Sequence, residues 1–284
     1  ARAKDAWLAS RVPYQQTEVF RFGNPIVDAW EGRVNAWPLD EGLIDYVAVD
    51  LYGEDSPENP FYAANVIANP VLRVAGETLD AGTIDAALLT ELHEIEAVEA
   101  NVSRGYHAIE FLLWGQDLNG TDAGAGERPW TDYAQGAACT GGNCDRRRDY
   151  LGAASDLLVD DLEEIVAAWA SDGEARAQLT ADGAERGVAM ILTGLGSLSY
   201  GELAGERMKL GLMLHDPEEE HDCFADNTHN SHFYNVVGMA NVWQGRYART
   251  DGSVVAGASL SDLVRATDPT LHEDMRGRLD ATLD

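Results

Sequence analysis

The 284-residue chain has few basic residues and lacks any long apolar run. Its 20 Lys and Arg residues stand against 49 Asp and Glu residues, so the formal net charge is -29. Because nucleic acids and anionic membrane surfaces repel such a charge, neither is expected as a partner. No stretch of 18 or more apolar residues is present, so no transmembrane segment is predicted. The charge favours cations as partners, and a solvated surface in a salty or extracellular setting explains it as well.

Cysteine is also scarce, with three residues at Cys139, Cys144 and Cys223. The first two enclose a short Gly-rich turn, which suits a disulfide in an oxidising compartment. A zinc knuckle is the alternative, but it normally needs a second close pair. We therefore predict a Cys139–Cys144 disulfide and a free Cys223. No signal peptide is recognisable at the start, and Ala1–Lys4 is compatible with a trimmed leader.

Alternating apolar and polar positions, which are typical of strands, are almost absent. Apolar residues at spacings of three and four predict an all-α protein. Segment 121–144 is rich in Gly, Asp, Thr and Pro, so it is predicted to be a loop connecting an N-terminal half, 1–120, to a C-terminal half, 145–284. The predicted helices cover about 5–22, 84–114, 145–170, 175–215 and 228–247, with two short helices at the end of the chain.

The most informative stretch places His107 three residues before Glu110 inside an apolar helical run. Side chains at this spacing leave the same face of a helix. The apolar neighbours at positions 109 and 111–114 leave almost no polar side to solvate, so the two groups are predicted to be buried together. Such a pair is typical of a metal site or of acid–base chemistry. His93 and Glu96 lie on the same row of the predicted helix, but an ordinary polar face also explains them.

Two further segments carry charged residues at helical spacing. In the predicted helix 175–215, an apolar row continues into Glu202 and Glu206, so a carboxylate falls on the core-facing side. A buried carboxylate needs a partner or a metal, and Arg207 as a structural partner stays open beside a site role for Glu202. Near the start of the chain, Arg11, Glu18 and Arg21 form either a surface ion-pair ladder or a clamp for an anion or carboxylate.

A block of acidic residues and histidines follows residue 217. Four of the seven histidines lie within 18 residues, at positions 215, 221, 229 and 232. Carboxylates and imidazoles together can bind borderline metals such as iron or zinc. Asp226 stands at a predicted helix start, and His229 and His232 lie one turn apart on that helix.

Taken together, these segments resemble a known family. Gly105–Asp117 resembles the Gly-x-His-x-x-Glu signature of the imelysin family, which includes an insulin-cleaving membrane protease and iron-regulated protein A. Further segments are similar to family segments, in order along the whole chain: Thr17–Phe22, Asn35–Asp40, Gly126–Pro129, Gly201–Met208 and Cys223–His229.

The resemblance implies an exported bacterial protein of the periplasm or outer envelope, built from two helical-bundle halves with a site at their interface. It further implies that His107 and Glu110 are the signature site residues, with a link to iron regulation and, for one branch, peptidase activity. Two ligands are too few for a closed metal shell. Candidates for the opposite walls of the site are Glu18, Arg21, Glu202, Arg207, Asp226 and His229.

Two functions therefore stay open. In the first, the site binds a divalent metal, with iron favoured and zinc possible, or a small cationic ligand, in an uptake or scavenging role with envelope iron-uptake components. In the second, a metallopeptidase activates a zinc-bound water. The known zincin helices place a second histidine close to the first, whereas position 111 is Phe. A di-iron carboxylate bundle ranks below both functions. It requires two helices with Glu-x-x-His spacing, and only Glu218–His221 has that spacing.

Overall fold

The computed structural model describes residues 1–48, 61–74, 77–215 and 219–284, and helices dominate these ranges. Within them, no helix is long and apolar enough to cross a membrane. Twelve α-helices are described: α1 (Arg2–Gln15), α2 (Pro25–Val34), α3 (Glu41–Ile44), α4 (Ala86–Leu92), α5 (Gly105–Trp114), α6 (Cys144–Ala168), α7 (Glu174–Thr180), α8 (Ala184–Gly196), α9 (Leu210–Leu214), α10 (Thr228–Gln244), α11 (Leu260–Thr267) and α12 (Pro269–Leu283). The predicted all-α class is confirmed.

Shorter elements complete the described chain. Two antiparallel hairpins pair β1 (Val71–Val74) with β2 (Glu77–Asp80) and β3 (Arg246–Ala248) with β4 (Val254–Ala256). Single 3-10 turns cover Glu18–Phe20, Ile95–Ala97, Trp130–Tyr133 and Gly136–Ala138. The two short helices predicted at the end of the chain are present as α11 and α12. Asp268 ends α11, and its side chain accepts hydrogen bonds from the first amides of α12.

The larger apolar core gathers side chains from α1, α2, α4, α5 and α6. The central helix α5 buries nine of its ten residues, which matches its largely apolar sequence. Tyr150, Ala154 and Leu158 place α6 in the same core. Helix α6 thus packs on the helices that precede segment 121–144, while the division at that segment stays a prediction.

A smaller apolar core joins Val19, Leu198, Leu203, Val236 and Met239. It lies where the turn after α1 meets the segment after α8 and the middle of α10. Gly238 permits this approach, since a Cβ on it would meet the backbone oxygen of Gln16 at 2.5 Å. Polar residues on α1, α10 and their neighbours therefore come close together beside this core.

The predicted single helix over 84–114 is wrong. Helix α4 ends at Leu92, and α5 begins only at Gly105. Glu94, Glu96 and Ala97 between them have positive φ, and the amide of Glu94 donates to the carbonyl of Asn101 at 2.8 Å. This closed loop removes His93 and Glu96 from the row that carries His107.

Segment 121–144 is held by a covalent link and by buried ion pairs. The predicted Cys139–Cys144 disulfide is present, and Cys223 is free and buried. Asp45 accepts from Arg128 at 2.6 Å and from two nitrogens of Arg147 at 2.6 and 2.9 Å, with all three side chains 1% exposed. These contacts fix the segment between α3 and α6.

The segment after α8 is a π-helix, Ser197–Lys209. Its hydrogen bonds join residues five apart, so the side chains of Glu202 and Arg207 come onto one side. Arg207 is buried and Glu206 is exposed. The α-helical row that predicted Glu202 together with Glu206 on the core side is therefore wrong for Glu206.

Candidate metal centre

The site is built around the first turn of α5. Gly105 begins the helix with φ +86°, and a Cβ there would meet the carbonyl oxygen of Val34 at 2.6 Å. Only glycine combines that dihedral angle with so close a contact. The glycine of the Gly-x-His-x-x-Glu pattern therefore seats α5 against the end of α2 and fixes the position of His107.

His107 and Glu110 are buried together, as predicted. Nδ1 of His107 lies 2.9 Å from Oε2 of Glu110, and both side chains are 0% exposed. Oε1 of Glu110 accepts the backbone N–H of Ala225 at 2.9 Å. Nε2 of His107 is buried and has no hydrogen-bond partner among the described residues. Both oxygens of Glu110 are thus engaged, while one imidazole nitrogen is left for a ligand.

A second histidine, His221, packs against the imidazole ring of His107. The rings of His107 and His221 meet edge to face with centroids 4.8 Å apart, and Trp37 packs on His107 with centroids 5.0 Å apart. Nδ2 of Asn35, at the end of α2, lies 3.4 Å from Nε2 of His221. Three separate segments of the chain therefore surround the two imidazoles.

Asp222 supplies the carboxylate next to His221. Arg11 binds it through two nitrogens, at 2.7 Å to Oδ1 and 3.3 Å to Oδ2. Asn227 and Ser231 also donate to Oδ2. Oδ1 accepts one hydrogen bond and Oδ2 accepts three, so Oδ1 keeps a lone pair for another ligand.

The guanidinium of Arg11 is itself enclosed. It lies 4.8 to 5.4 Å from the ring centroids of Trp7, Tyr14 and Tyr106, and it donates to Asn35 at 2.7 Å. An arginine in such a cage holds Asp222 in one position. The charge at the site is therefore fixed by residues from α1, α2 and the start of α10.

His107, His221 and Asp222 meet the geometric requirement for a metal site. All three are buried, and their candidate ligand atoms lie within 4.8 Å of one another. Burial, followed by the charge of Arg11, lowers the pKa of His107 to about 3. Burial lowers the pKa of His221 well below its usual value. Burial alone would raise the pKa of Asp222, but the charge and hydrogen bond of Arg11 lower it to about 2. At neutral pH all three groups are in the form that binds metals.

A neighbouring ion-pair cluster centres on Arg207. It donates to Glu18 at 2.9 Å, to Glu202 at 2.9 and 3.1 Å, and to Asn235 at 3.0 Å. Arg21 reaches Glu31 at 3.2 Å and Glu202 at 3.8 Å. Four of the predicted site residues, Glu18, Arg21, Glu202 and Arg207, are thus brought together. They form one cluster close to His107 and His221, since the charge of Arg207 adds to burial in lowering the pKa of both histidines.

The other two predicted residues make no ion pair with this cluster within the described residues. Asp226 is half-buried and His229 is exposed. Sequence reasoning selected neither His221 nor Asp222, although both lie in the acidic and histidine-rich block. It also omitted Arg11, Asn35 and Trp37 from the site, although Arg11 was noted for its spacing and the other two fall in a segment similar to the family.

Comparison with known proteins agrees with the sequence resemblance. The family model described as Imelysin matches residues 1–284. The chain belongs to the imelysin family. No curated protein matches it significantly. The fold is similar to the crystal structure of an iron-regulated protein A precursor from Parabacteroides distasonis, with a TM-score of 0.62 and 18% identity over 100% of this chain and 72% of that chain.

Within this imelysin-family chain, the signature contributes one of the three clustered candidate ligands. His107 comes from the signature, whereas His221 and Asp222 come from the segment immediately before α10. Glu110, the other signature residue, contacts His107 and the backbone of that same segment. The imelysin signature therefore both supplies a candidate ligand and attaches α5 to the segment that supplies the other two candidates.

Proposed function

We propose that this protein is an exported metal-binding protein whose site consists of His107, His221 and Asp222. The ion is divalent, with iron favoured and zinc possible, and the role is uptake or scavenging, with envelope iron-uptake components as partners. Glu110 orients the ring of His107 through its contact with Nδ1. The cluster of three buried ligand-type side chains within 4.8 Å carries this proposal.

The contacts of His107 support a metal more than they support a structural core histidine. A buried imidazole normally satisfies both nitrogens, and an unsatisfied one costs about 1–3 kcal/mol. Here Nδ1 faces a carboxylate and Nε2 faces no protein partner within the described residues. Metal-binding histidines commonly donate the N–H of their second ring nitrogen to a carboxylate, which orients the ring. Glu110 has this position toward His107.

The ligand set agrees with the choice of ion. Two imidazoles and one carboxylate with open positions are typical of non-haem iron sites, and three protein ligands also suit zinc. The structural relative described as an iron-regulated protein supports iron. That relative is described as a precursor, and this chain contains a disulfide, so both observations support export to the periplasm or outer envelope.

The hydrogen bonds of the nearest carboxylates favour metal binding over peptide hydrolysis. Activation of a metal-bound water needs a carboxylate that can accept a proton from it. Glu110 uses one oxygen for His107 and the other for the amide of Ala225. Asp222 is tied to Arg11, Asn227 and Ser231. Glu110 is therefore placed to orient His107, and Asp222 is placed to bind the ion.

Titration of metal-stripped protein with Fe²⁺ under anaerobic conditions, and separately with Zn²⁺, tests the proposal. We expect one equivalent to bind at micromolar concentration or below, with binding lost in His107→Ala and His221→Ala. His229→Ala is the matched control, since that histidine is exposed in the same block and should leave the affinity unchanged. Absence of binding by the wild-type protein, or retention of affinity in both site variants, would refute the proposal.

A further inference from the structure

A cavity of about 620 Å³ opens beside the metal triad. We refer to it as the acidic cavity, because six glutamates and two arginines supply its charged lining. The remaining lining includes Asn35, Trp37 and His221. Its charged residues are Arg21, Glu31, Glu94, Glu99, Glu202, Glu206, Arg207 and Glu219.

The positive charges of the two arginines do not neutralise the glutamates at the outer edge of the acidic cavity. Arg21 is paired with Glu31 and with Asp28, and Arg207 is paired with Glu18 and Glu202. Glu94, Glu99 and Glu206 are exposed, and none of them has an ion pair among the described residues. The outer edge therefore carries uncompensated negative charge.

The acidic cavity is joined to the triad through His221. His221 lines the cavity and packs with its ring against His107, at a centroid distance of 4.8 Å. Trp37 also lines the cavity and contacts the same ring of His107. His107 thus lies directly behind His221 and Trp37 of the cavity lining. Its buried Nε2 has no hydrogen-bond partner among the described residues.

A second cavity, of about 290 Å³, lies against α1 and the start of α10. It is lined by Arg11, Asn227 and Ser231, which are the hydrogen-bond partners of Asp222, and by apolar and neutral residues. The only charged side chain of that lining is the cation Arg11. Arg11 is paired with Asp222, so this lining carries no uncompensated negative charge to attract a cation, whereas the edge of the acidic cavity does.

We propose that the acidic cavity admits a hydrated divalent cation to the triad and repels a metal that is held in an anionic chelate. This inference rests on the proposed function and names the form in which the metal reaches the site. A cleft lined by one sign of charge raises the association rate of oppositely charged ligands by about 10 to 1,000 times, and salt suppresses the effect. The same field lowers the association rate of anionic complexes.

Stopped-flow absorbance with Co²⁺, which stands in for the native ion, measures the association and dissociation rates directly. The test variant is Glu94→Gln/Glu99→Gln/Glu206→Gln. The matched control is Asp156→Asn/Asp160→Asn/Glu163→Gln, which removes three exposed charges from α6 and changes the net charge equally. At low ionic strength, we expect the cavity variant to associate about 5 to 10 times more slowly with an unchanged dissociation rate, and the control to change less than twofold.

Added citrate provides the second arm. We expect the association rate to follow the concentration of free Co²⁺ alone, so that it falls as citrate binds the metal. Equal association rates in the cavity variant and the control, or an undiminished rate with Co²⁺ held by citrate, would overturn the inference while leaving the metal site in place. Failure of wild-type protein to bind Co²⁺, Fe²⁺ and Zn²⁺ would instead refute the proposed function and this inference together.

Discussion

Nδ1 of His107 lies 2.9 Å from Oε2 of Glu110 in a position where neither side chain is exposed to solvent. The contact occupies Nδ1, and Nε2 of His107 has no hydrogen-bond partner among the described residues. When Nδ1–H donates to the carboxylate, the lone pair of the imidazole is on Nε2. Glu110 is therefore a positioning residue for the proposed site.

Glu110→Gln should lower metal affinity about 10- to 100-fold while the protein stays folded. The amide of Ala225 donates to Oε1 of residue 110, so the glutamine oxygen would take that position and its NH₂ group would face Nδ1 of His107. Nδ1 would then accept, and the proton would move to Nε2. Isothermal titration with Zn²⁺ measures the loss. An exposed counterpart, Glu163→Gln, serves as control, and unchanged affinity in Glu110→Gln would show that Glu110 does not set the tautomer.

Much of the fold could be predicted from the spacing of apolar residues, because most helices bury one apolar stripe. The helices now seen as α6 and α10 were predicted within two or three residues of their ends, since each has a continuous apolar row and a clear start. The break between α4 and α5 was not predicted. It depends on contacts such as Asn101 Nδ2 to the carbonyl of Ile95 at 2.8 Å and Ser103 Oγ to that of Leu89 at 2.6 Å, which close the loop against α4.

The candidate site could be predicted from the sequence only in part. His107 and Glu110 stood out because an apolar helix leaves charged groups no solvent to face. His221 and Asp222 lay within a block of many similar residues, and only the fold shows which of them turn toward α5. Arg207 was placed beside Glu202 as one of two alternatives, and the π-helix supplies the reason for their contact. Residue spacing in sequence does not reveal a π-helix.

Gly105→Ala should destabilise the protein by about 2–3 kcal/mol and weaken metal binding. Alanine is strained at φ +86°, and its methyl group would meet the carbonyl of Val34, so α5 must shift and carry His107 with it. Urea denaturation gives the stability, and titration with Zn²⁺ gives the affinity.

Gly152→Ala in α6 is the matched control for this change. No atom lies within 4 Å of the added methyl group, and alanine is preferred to glycine inside a helix by about 1 kcal/mol. This variant should be as stable as the wild type or more so, with unaltered affinity. Equal stability of the two variants would contradict the role given to Gly105.

Asp45→Asn should cost about 3–5 kcal/mol of stability, because it leaves Arg128 and Arg147 buried without their shared carboxylate. The expected loss is visible as a lower urea midpoint. An exposed ion pair provides the comparison: Glu164 binds Arg33 with side chains 57% and 34% exposed, so Glu164→Gln should cost less than about 1 kcal/mol. A similar cost for both variants would mean that the Asp45 cluster contributes no more than a surface pair.

Glu31→Gln should remove a pH dependence of stability between about pH 4.5 and pH 7. Burial, together with the nearby charge of Glu18, raises the pKa of Glu31 to about 7 in the folded protein. The folded state then holds this proton more tightly than the unfolded state, so wild-type stability falls as pH rises from the unfolded pKa to the folded pKa. Below both values, Glu31 contributes no such cost. Urea denaturation at pH 5 and pH 8 should show the variant gaining on the order of 2 kcal/mol relative to wild type between these values. An equal difference at both pH values would place the titration of Glu31 outside this range.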